Sequence, residues 1–228
     1  NPNSLNTSLV HTAYIDSANQ LWVGTEVGLN VYQGERDNFK QVTFFKGGMP
    51  LNSVVVNAII EVADDKLLIG SLANGLFEVD VKTLKGNVVP FDNQVSTPIM
   101  INSMVSYGHG NIFIGSNKGL FEYDGGQVKK ILFKEEVLNA NSDVSINVES
   151  LLIDDDGSLW MGTHSKGLMK LAITSTKPYV LHTYAITTER ILTMVQAPDG
   201  NILCGTENDG LFVVSTEGEL FKNYRYDK

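Results

Sequence analysis

The sequence predicts an all-β chain of five radially packed, four-stranded antiparallel sheets, on three observations. A five-residue signature, three apolar residues followed by Gly and Thr or Ser, occurs five times. The copies are Leu21-Trp22-Val23-Gly24-Thr25, Leu67-Leu68-Ile69-Gly70-Ser71, Ile112-Phe113-Ile114-Gly115-Ser116, Leu159-Trp160-Met161-Gly162-Thr163 and Ile202-Leu203-Cys204-Gly205-Thr206. Their glycines stand 46, 45, 47 and 43 residues apart. Upstream of each marker glycine the residues keep a period of two: Val10, Val56, Ile101, Val148 and Ile191 at fourteen, the small Thr12, Ala58, Ser103, Ser150 and Thr193 at twelve, Tyr14, Ile60, Val105, Leu152 and Val195 at ten. That period belongs to a strand, and about 45 residues per four strands is the repeat of a β-propeller blade.

Each unit reads as strand A, tight turn, strand B, loop, strand C and strand D. The turn residues are Ala18-Asn19, Asp64-Asp65, Gly108-His109-Gly110, Asp156-Gly157 and Asp199-Gly200, types that tolerate the positive φ of a hairpin. Strand B carries the signature; its three consecutive apolar residues imply burial of both faces, as between stacked blades. Strand C follows the pairs Gly28-Leu29, Gly75-Leu76, Gly119-Leu120, Gly167-Leu168 and Gly210-Leu211. Strand D is expected at Phe39–Phe45, Val88–Phe91, Val128–Phe133, Tyr179–Tyr184 and Leu220–Tyr226, and the only helical turn around Lys134–Leu138. The repeats span approximately 9–46, 54–92, 99–134, 146–184 and 190–226 of one domain, 1–228. Trp22 and Trp160 align with Leu68, Phe113 and Leu203, and Cys204 with Val23, Ile69, Ile114 and Met161, which makes all of them core residues.

Composition limits the function classes. A net charge of −9 over 228 residues, with no basic run beyond Lys129-Lys130, argues against a nucleic-acid partner. No apolar stretch is long enough for a membrane helix, so no membrane insertion is expected of this chain. The polar opening Asn1-Pro2-Asn3-Ser4 is unlike a secretory leader and is expected of a mature or trimmed chain. The single Cys204 forbids an internal disulfide. No cluster has metal-ligand spacing; Asp154-Asp155-Asp156-Gly157 lacks the pattern of a calcium loop, and no metal or cofactor is expected.

The run Ile153-Asp154-Asp155-Asp156-Gly157-Ser158-Leu159-Trp160-Met161-Gly162-Thr163 with Gly167-Leu168 resembles the two-component regulator propeller repeat. The first unit is similar, with Asp16-Ser17-Ala18-Asn19 at its turn; the second and third depart, with Leu68 and Phe113 in place of Trp. Asn1-Pro2-Asn3-Ser4-Leu5 resembles the linker between such blades. The resemblance implies a piece of a longer propeller array in the periplasmic sensor region of a Bacteroidetes hybrid two-component histidine kinase. There the usual input is an oligosaccharide and the remaining blades of the receptor are partners. The kinase, receiver and DNA-binding segments of such receptors are not in this chain.

Candidate ligand-binding residues follow from the blade geometry. The B–C loops, on the usual binding face, offer Glu26, Asn74, Asn117, Lys118, His164, Lys166, Asn208 and Asp209. Thirteen residues before each marker glycine stand His11, Asn57, Asn102, Glu149 and Leu192, four of them polar in an otherwise apolar strand. These four are expected to line the channel mouth and bond a hydroxyl-rich ligand, or else to bond neighbouring backbone and water. Tyr107, Tyr184 and Phe91 are candidate stacking platforms. Two other readings stand beside sensing. Blades could serve only structure or dimerisation, or a propeller glycoside hydrolase or lyase could pair Glu149 with a second carboxylate such as Glu61. Because an unclosed stack leaves an apolar face bare at each end, five-blade closure, pairing with another copy, or further blades are the expected alternatives.

Overall fold

The computed structural model describes residues 4–91, 98–108, 110–133, 146–173 and 179–226. Among them the fold is all-β, with one 3-10 turn at Gly34–Arg36. The first sheet orders β1 (Val10–Ile15), β2 (Leu21–Thr25), β3 (Leu29–Gln33) and β4 (Asn38–Gln41) in sequence. Next come β5 (Thr43–Lys46), β6 (Met49–Pro50), β7 (Val56–Ala63), β8 (Lys66–Ser71), β9 (Leu76–Asp80) and β10 (Lys85–Val89), which form one sheet in the order β6-β5-β10-β9-β8-β7. The third sheet is β11 (Ile101–Gly108), β12 (Asn111–Ser116), β13 (Gly119–Tyr123) and β14 (Val128–Lys130). The fourth is β15 (Val148–Ile153), β16 (Ser158–Thr163), β17 (Leu168–Ala172) and β18 (Leu181–Tyr184). The fifth is β19 (Ile191–Gln196), β20 (Ile202–Thr206), β21 (Leu211–Val214) and β22 (Leu220–Tyr224). The chain divides into two compact units, Asn1–Ile112 with Tyr123–Lys129, and Phe113–Glu122 with Lys130–Lys228.

The second sheet corrects the expectation of four strands throughout. The predicted strand over 39–45 is two strands. β4 pairs with β3, and after Val42 the chain crosses to the second sheet, where β5 runs parallel to β10. Phe44 is the cause. It leaves the first sheet to pack edge-on against Phe77, ring centroids 4.8 Å apart, over Gly86, where a Cβ would lie 2.6 Å from the Phe44 ring. The same step recurs at Phe91, in parallel bridge with Val128, and at Phe133 with Tyr179. Strand D is shorter than expected in the third, fourth and fifth sheets, ending at Lys130, beginning at Leu181 and ending at Tyr224 respectively. The expected turn around Lys134–Leu138, and His109, lie outside the described residues.

Two devices explain the signature. A Cβ on each of the first four marker glycines would meet the branched residue fourteen positions before the next marker. Built on Gly24 it lies 2.5 Å from Val56 Cγ1, on Gly70 2.5 Å from Ile101 Cγ2, on Gly115 2.7 Å from Val148 Cγ1, and on Gly162 2.7 Å from Ile191 Cγ2. Each glycine is thus a socket and each Val or Ile a knob from the following sheet, which is close packing by interdigitation. The Thr or Ser after each glycine closes the B–C loop. Its hydroxyl donates to the carbonyl of Gly28, Gly75, Gly119, Gly167 or Gly210 at 2.7–2.9 Å. The same oxygen accepts a loop N–H, for example that of Lys166 at 2.9 Å.

A third device joins turn to core in the first and fourth sheets. Asp154 Oδ1 accepts the Ser158 N–H at 2.7 Å, and Oδ2 accepts Trp160 Nε1–H at 2.8 Å. Asp16 does the same for the Gln20 N–H and Trp22 Nε1–H, each at 2.8 Å. Eight residues before the marker, Asp stands only where Trp follows; Val62, Tyr107 and Ala197 precede Leu68, Phe113 and Leu203. Both tryptophans and Cys204 are fully buried.

Candidate functional site

Four of the residues thirteen positions before the marker sit on β-bulges. In the first sheet Val10 pairs with Thr25 and Thr12 with Gly24, so two steps on β1 match one on β2, with His11 left over. The same shift brackets Asn57, Glu149 and Leu192. The period-two reading put positions fourteen and twelve on one face. The bulge reverses the alternation between them, so the knob faces the preceding sheet while the small residue lies beside its own marker glycine. A bulged residue is spare in the ladder, and its side chain is re-aimed.

What the bulge residues do differs from copy to copy. In the first unit Asn57 donates from Nδ2 to the carbonyls of Ile101 and Asn102, at 3.2 and 3.4 Å, which is the neighbouring-backbone alternative. Asn102 is half-buried, and His11 and Leu192 are exposed. Glu149, in the second unit, is buried and makes a site. Its Oε1 lies 3.1 Å from His164 Nδ1 and its Oε2 accepts Arg190 Nη2–H at 2.9 Å. Arg190 also reaches Glu207 Oε1 at 3.4 Å, so its guanidinium lies between two carboxylates. The hydrogen bond to Glu149 is the first cause holding its pKa above the ordinary value, against the opposing effect of burial.

Loop closures and backbone bonds between neighbouring strands build this cluster. Thr163 closes the loop that presents His164, whose own N–H donates to the Asn147 carbonyl at 3.0 Å. The Glu207 N–H donates to the Arg190 carbonyl at 3.0 Å, which fixes the β20–β21 loop beside the entry to β19. Around the rim Asn208 donates to Glu189 Oε2 at 3.0 Å, Thr187 donates to Asp209 Oδ2 at 2.8 Å, and Arg225 pairs with Asp209 at 2.8 Å. Donors and acceptors therefore alternate across a partly exposed polar surface centred on one buried carboxylate.

Of the predicted residues, Glu149 and His164 come together, and Asn208 lies on the same rim. Lys166 is exposed on the His164 loop. Glu26, Asn74 and Lys118 occupy the B–C loops of other sheets; Asn74 and Lys118 give their backbone N–H groups to Ser71 and Ser116. Of the four polar bulge-position residues, Asn57 is spent on backbone, the alternative use expected of them, and Glu149 is built into a charged cluster. Glu61 is likewise committed to the first turn, accepting the Ser17 N–H and hydroxyl at 2.8 Å each. Tyr184 is no free platform, being stacked on Trp160 at 5.9 Å. Sequence reasoning missed Arg190 and Glu207. Fifteen positions before the marker the other copies carry Leu9, Val55, Met100 and Asn147, so Arg190 belongs to no repeat pattern. Among the described residues no group of three or more His, Cys, Asp or Glu side chains could hold a metal ion.

The fold and its repeats define a β-propeller segment. Residues 142–165, which include Glu149 and His164, match the family model described as two component regulator propeller. No curated protein sequence matches the chain. Two solved structures from B. thetaiotaomicron are similar. One, the extracellular domain described as that of a one component system, is 22% identical with a TM-score of 0.73, over 99% of this chain and 31% of the other. The second, described as from a hybrid two component system, is 14% identical with a TM-score of 0.56, over 93% and 35%. The chain thus spans about a third of the length of these domains. A streptogramin B lyase is 13% identical with a TM-score of 0.69, over 100% of this chain and 71% of its own. At these identities the likeness shows the fold alone, a propeller shared with these extracellular domains and at least one enzyme.

Proposed function

We propose that this chain is a ligand-sensing segment of the periplasmic region of a hybrid two-component sensor, and that it receives a hydroxyl-rich saccharide at the Glu149 cluster. The observation that carries the reading is the buried Glu149 carboxylate, held by His164, which with Glu149 lies in the stretch that matches the two-component regulator propeller, and by Arg190, which lies outside it. A carboxylate fixed from both sides keeps its neighbours' remaining donors oriented outward. His164 is half exposed, and Glu207 and Asn208 are exposed beside it. Sugar hydroxyls both donate and accept, so they match a rim on which the two roles alternate. Among the described residues no helix is long and apolar enough to cross a membrane, so signal transfer would fall to other parts of such a receptor. Transfer would also require unequal affinity for two receptor states.

Titration calorimetry of the chain against a panel of oligosaccharides tests this. Binding by at least one saccharide, weakened about tenfold or more by Glu149→Gln through loss of a charge-assisted pair, is the expected result. Absence of heat across the panel, or a Glu149→Gln variant that binds as tightly as the parent, would overturn it.

A further inference from the structure

The charges around Glu149 do not balance, and the surplus lies at one end of the cluster. Arg190 is held at 2.9 Å by Glu149 and Arg225 at 2.8 Å by Asp209, so each of these cations is offset by its own carboxylate. Two further carboxylates, Glu189 and Glu207, stand on the loops that enter β19 and leave β20. These loops are laced together. The Glu207 N–H donates to the Arg190 carbonyl at 3.0 Å, and Asn208 Nδ2 donates to Glu189 Oε2 at 3.0 Å. Thr187 Oγ1 accepts the Glu189 N–H at 3.0 Å, which fixes that carboxylate's backbone. The Glu207 side chain is 43% exposed and Glu189 is half-buried. Among the described residues, Glu189 Oε1 and Glu207 Oε2 have no hydrogen-bond or ion-pair partner. His164 lies on the other oxygen of Glu149, and Lys166 follows it in the β16–β17 loop. All of these groups stand at strand ends of the fourth and fifth sheets, within one compact unit.

We infer that the saccharide received at the Glu149 cluster carries a protonated amine, which Glu189 and Glu207 receive, and that acidic saccharides are rejected there. The inference rests on the saccharide reading above and adds the charge class of the ligand. An ammonium group has three donors and no acceptor, so it suits two carboxylates that each keep a free oxygen. A uronate or a sulfate ester at the same end would instead face like charge, which is costly. Arg190 does not compensate. Its Nη2 is directed at Glu149 and its Nη1 at Glu207, so it offers an acidic sugar no open two-pronged seat. The hydroxyls of the same sugar are left for the His164 end, where donors and acceptors are neutral or positive.

Titration calorimetry of the whole chain with three tetrasaccharides tests it: glucosamine with its amines free and protonated, its N-acetylated form, and galacturonic acid. The free-amine form should bind about tenfold or more tighter than the N-acetylated form, and the uronic acid more weakly than either. That preference should shrink as salt is raised, a readout that needs no variant. The double variant Glu189→Gln, Glu207→Gln should bring the ratio of free-amine to N-acetylated affinity toward one. A free-amine form that does not bind or gains no advantage, a uronic acid that binds as tightly, or a ratio untouched by the double variant would each overturn the inference. If the neutral or acidic form binds through Glu149 without any advantage for the amine, the sensing reading stands and the charge class falls. If no saccharide of the wider panel binds, both fall.

Discussion

The link between Asp154 and Trp160 gives the sharpest test of how the repeats are held together. Asp154 is buried, accepts Trp160 Nε1–H at 2.8 Å and Ser158 N–H at 2.7 Å, and lies 3.5 Å from Lys170 Nζ. Replacing it by Ala strands the indole donor in the core, which costs about 1–3 kcal/mol. It also removes a charge-assisted bond to the turn, so the expected total for Asp154→Ala is about 3 kcal/mol. Trp160→Leu removes buried volume and should cost about 3–5 kcal/mol alone, by analogy with large-to-small core changes. In that background no indole donor remains to be stranded. Asp154→Ala should then cost only about 1 kcal/mol, the turn bond alone. The double variant reproduces what the fifth sheet carries naturally, Ala197 with Leu203. Urea unfolding of the four proteins closes a double-mutant cycle with a coupling of about 2 kcal/mol, provided slopes and transitions stay two-state. Equal costs for Asp154→Ala in the two backgrounds would refute the reasoning, and the Asp-Trp pairing would then be coincidence.

Gly162→Ala should destabilise by about 2–4 kcal/mol, because its Cβ would lie 2.7 Å from Ile191 Cγ2 and 2.8 Å from the Ile191 carbonyl oxygen. Gly205→Ala, which meets only Thr193 Cγ2 at 2.9 Å, should cost clearly less; a reversed order in urea midpoints would contradict the socket account. Burial and a 3.0 Å bond to Glu78 push the Tyr123 hydroxyl up to about 12. Its folded pKa lies above the unfolded value, so its stabilising contribution is complete below about pH 10 and is lost as pH rises toward 12. Ultraviolet titration should show a late-ionising tyrosine that Tyr123→Phe removes; an unchanged late step would assign it elsewhere. Burial alone pushes the Cys204 thiol up to about 12, so a thiol reagent should label it only as fast as the protein opens. Rapid labelling of folded protein would count against its core position.

Much of the fold is legible in the sequence because the repeat writes its packing rules five times. Asn19, Gly157 and Gly200 do take the positive φ expected at the hairpin turns, 59°, 78° and 87°. The marker glycine, the hydroxyl after it and the small residue twelve before it each have one job, so each copy shows the same residue class. Features escape for two physical reasons. The step of Phe44 into the next sheet depends on a partner some forty residues away, and Val42-Thr43-Phe44 reads locally as one continuous strand. The bulge leaves no mark on composition, since a residue spare in the ladder can be of any type. The Glu149–Arg190 pair spans 41 residues and occurs once, so no periodicity reveals it. The Asp-Trp pairing was readable, by contrast, from comparison of the five copies alone.

The bulge also explains why the charged cluster forms where it does. The knob at position fourteen and the small residue at twelve are constrained on opposite faces, one by the preceding sheet and one by its own marker glycine. The residue between them answers to neither face. His11, Asn57, Asn102, Glu149 and Leu192 differ in size, charge and polarity, yet the bulge is kept around His11, Asn57, Glu149 and Leu192 alike. A site built there can change its chemistry without disturbing the interlock that holds the sheets together. Glu149 becomes more than a structural filler only because Arg190 and His164 happen to converge on it. On the saccharide reading proposed above, the functional content of this repeat would lie in the one strand position that its packing leaves free.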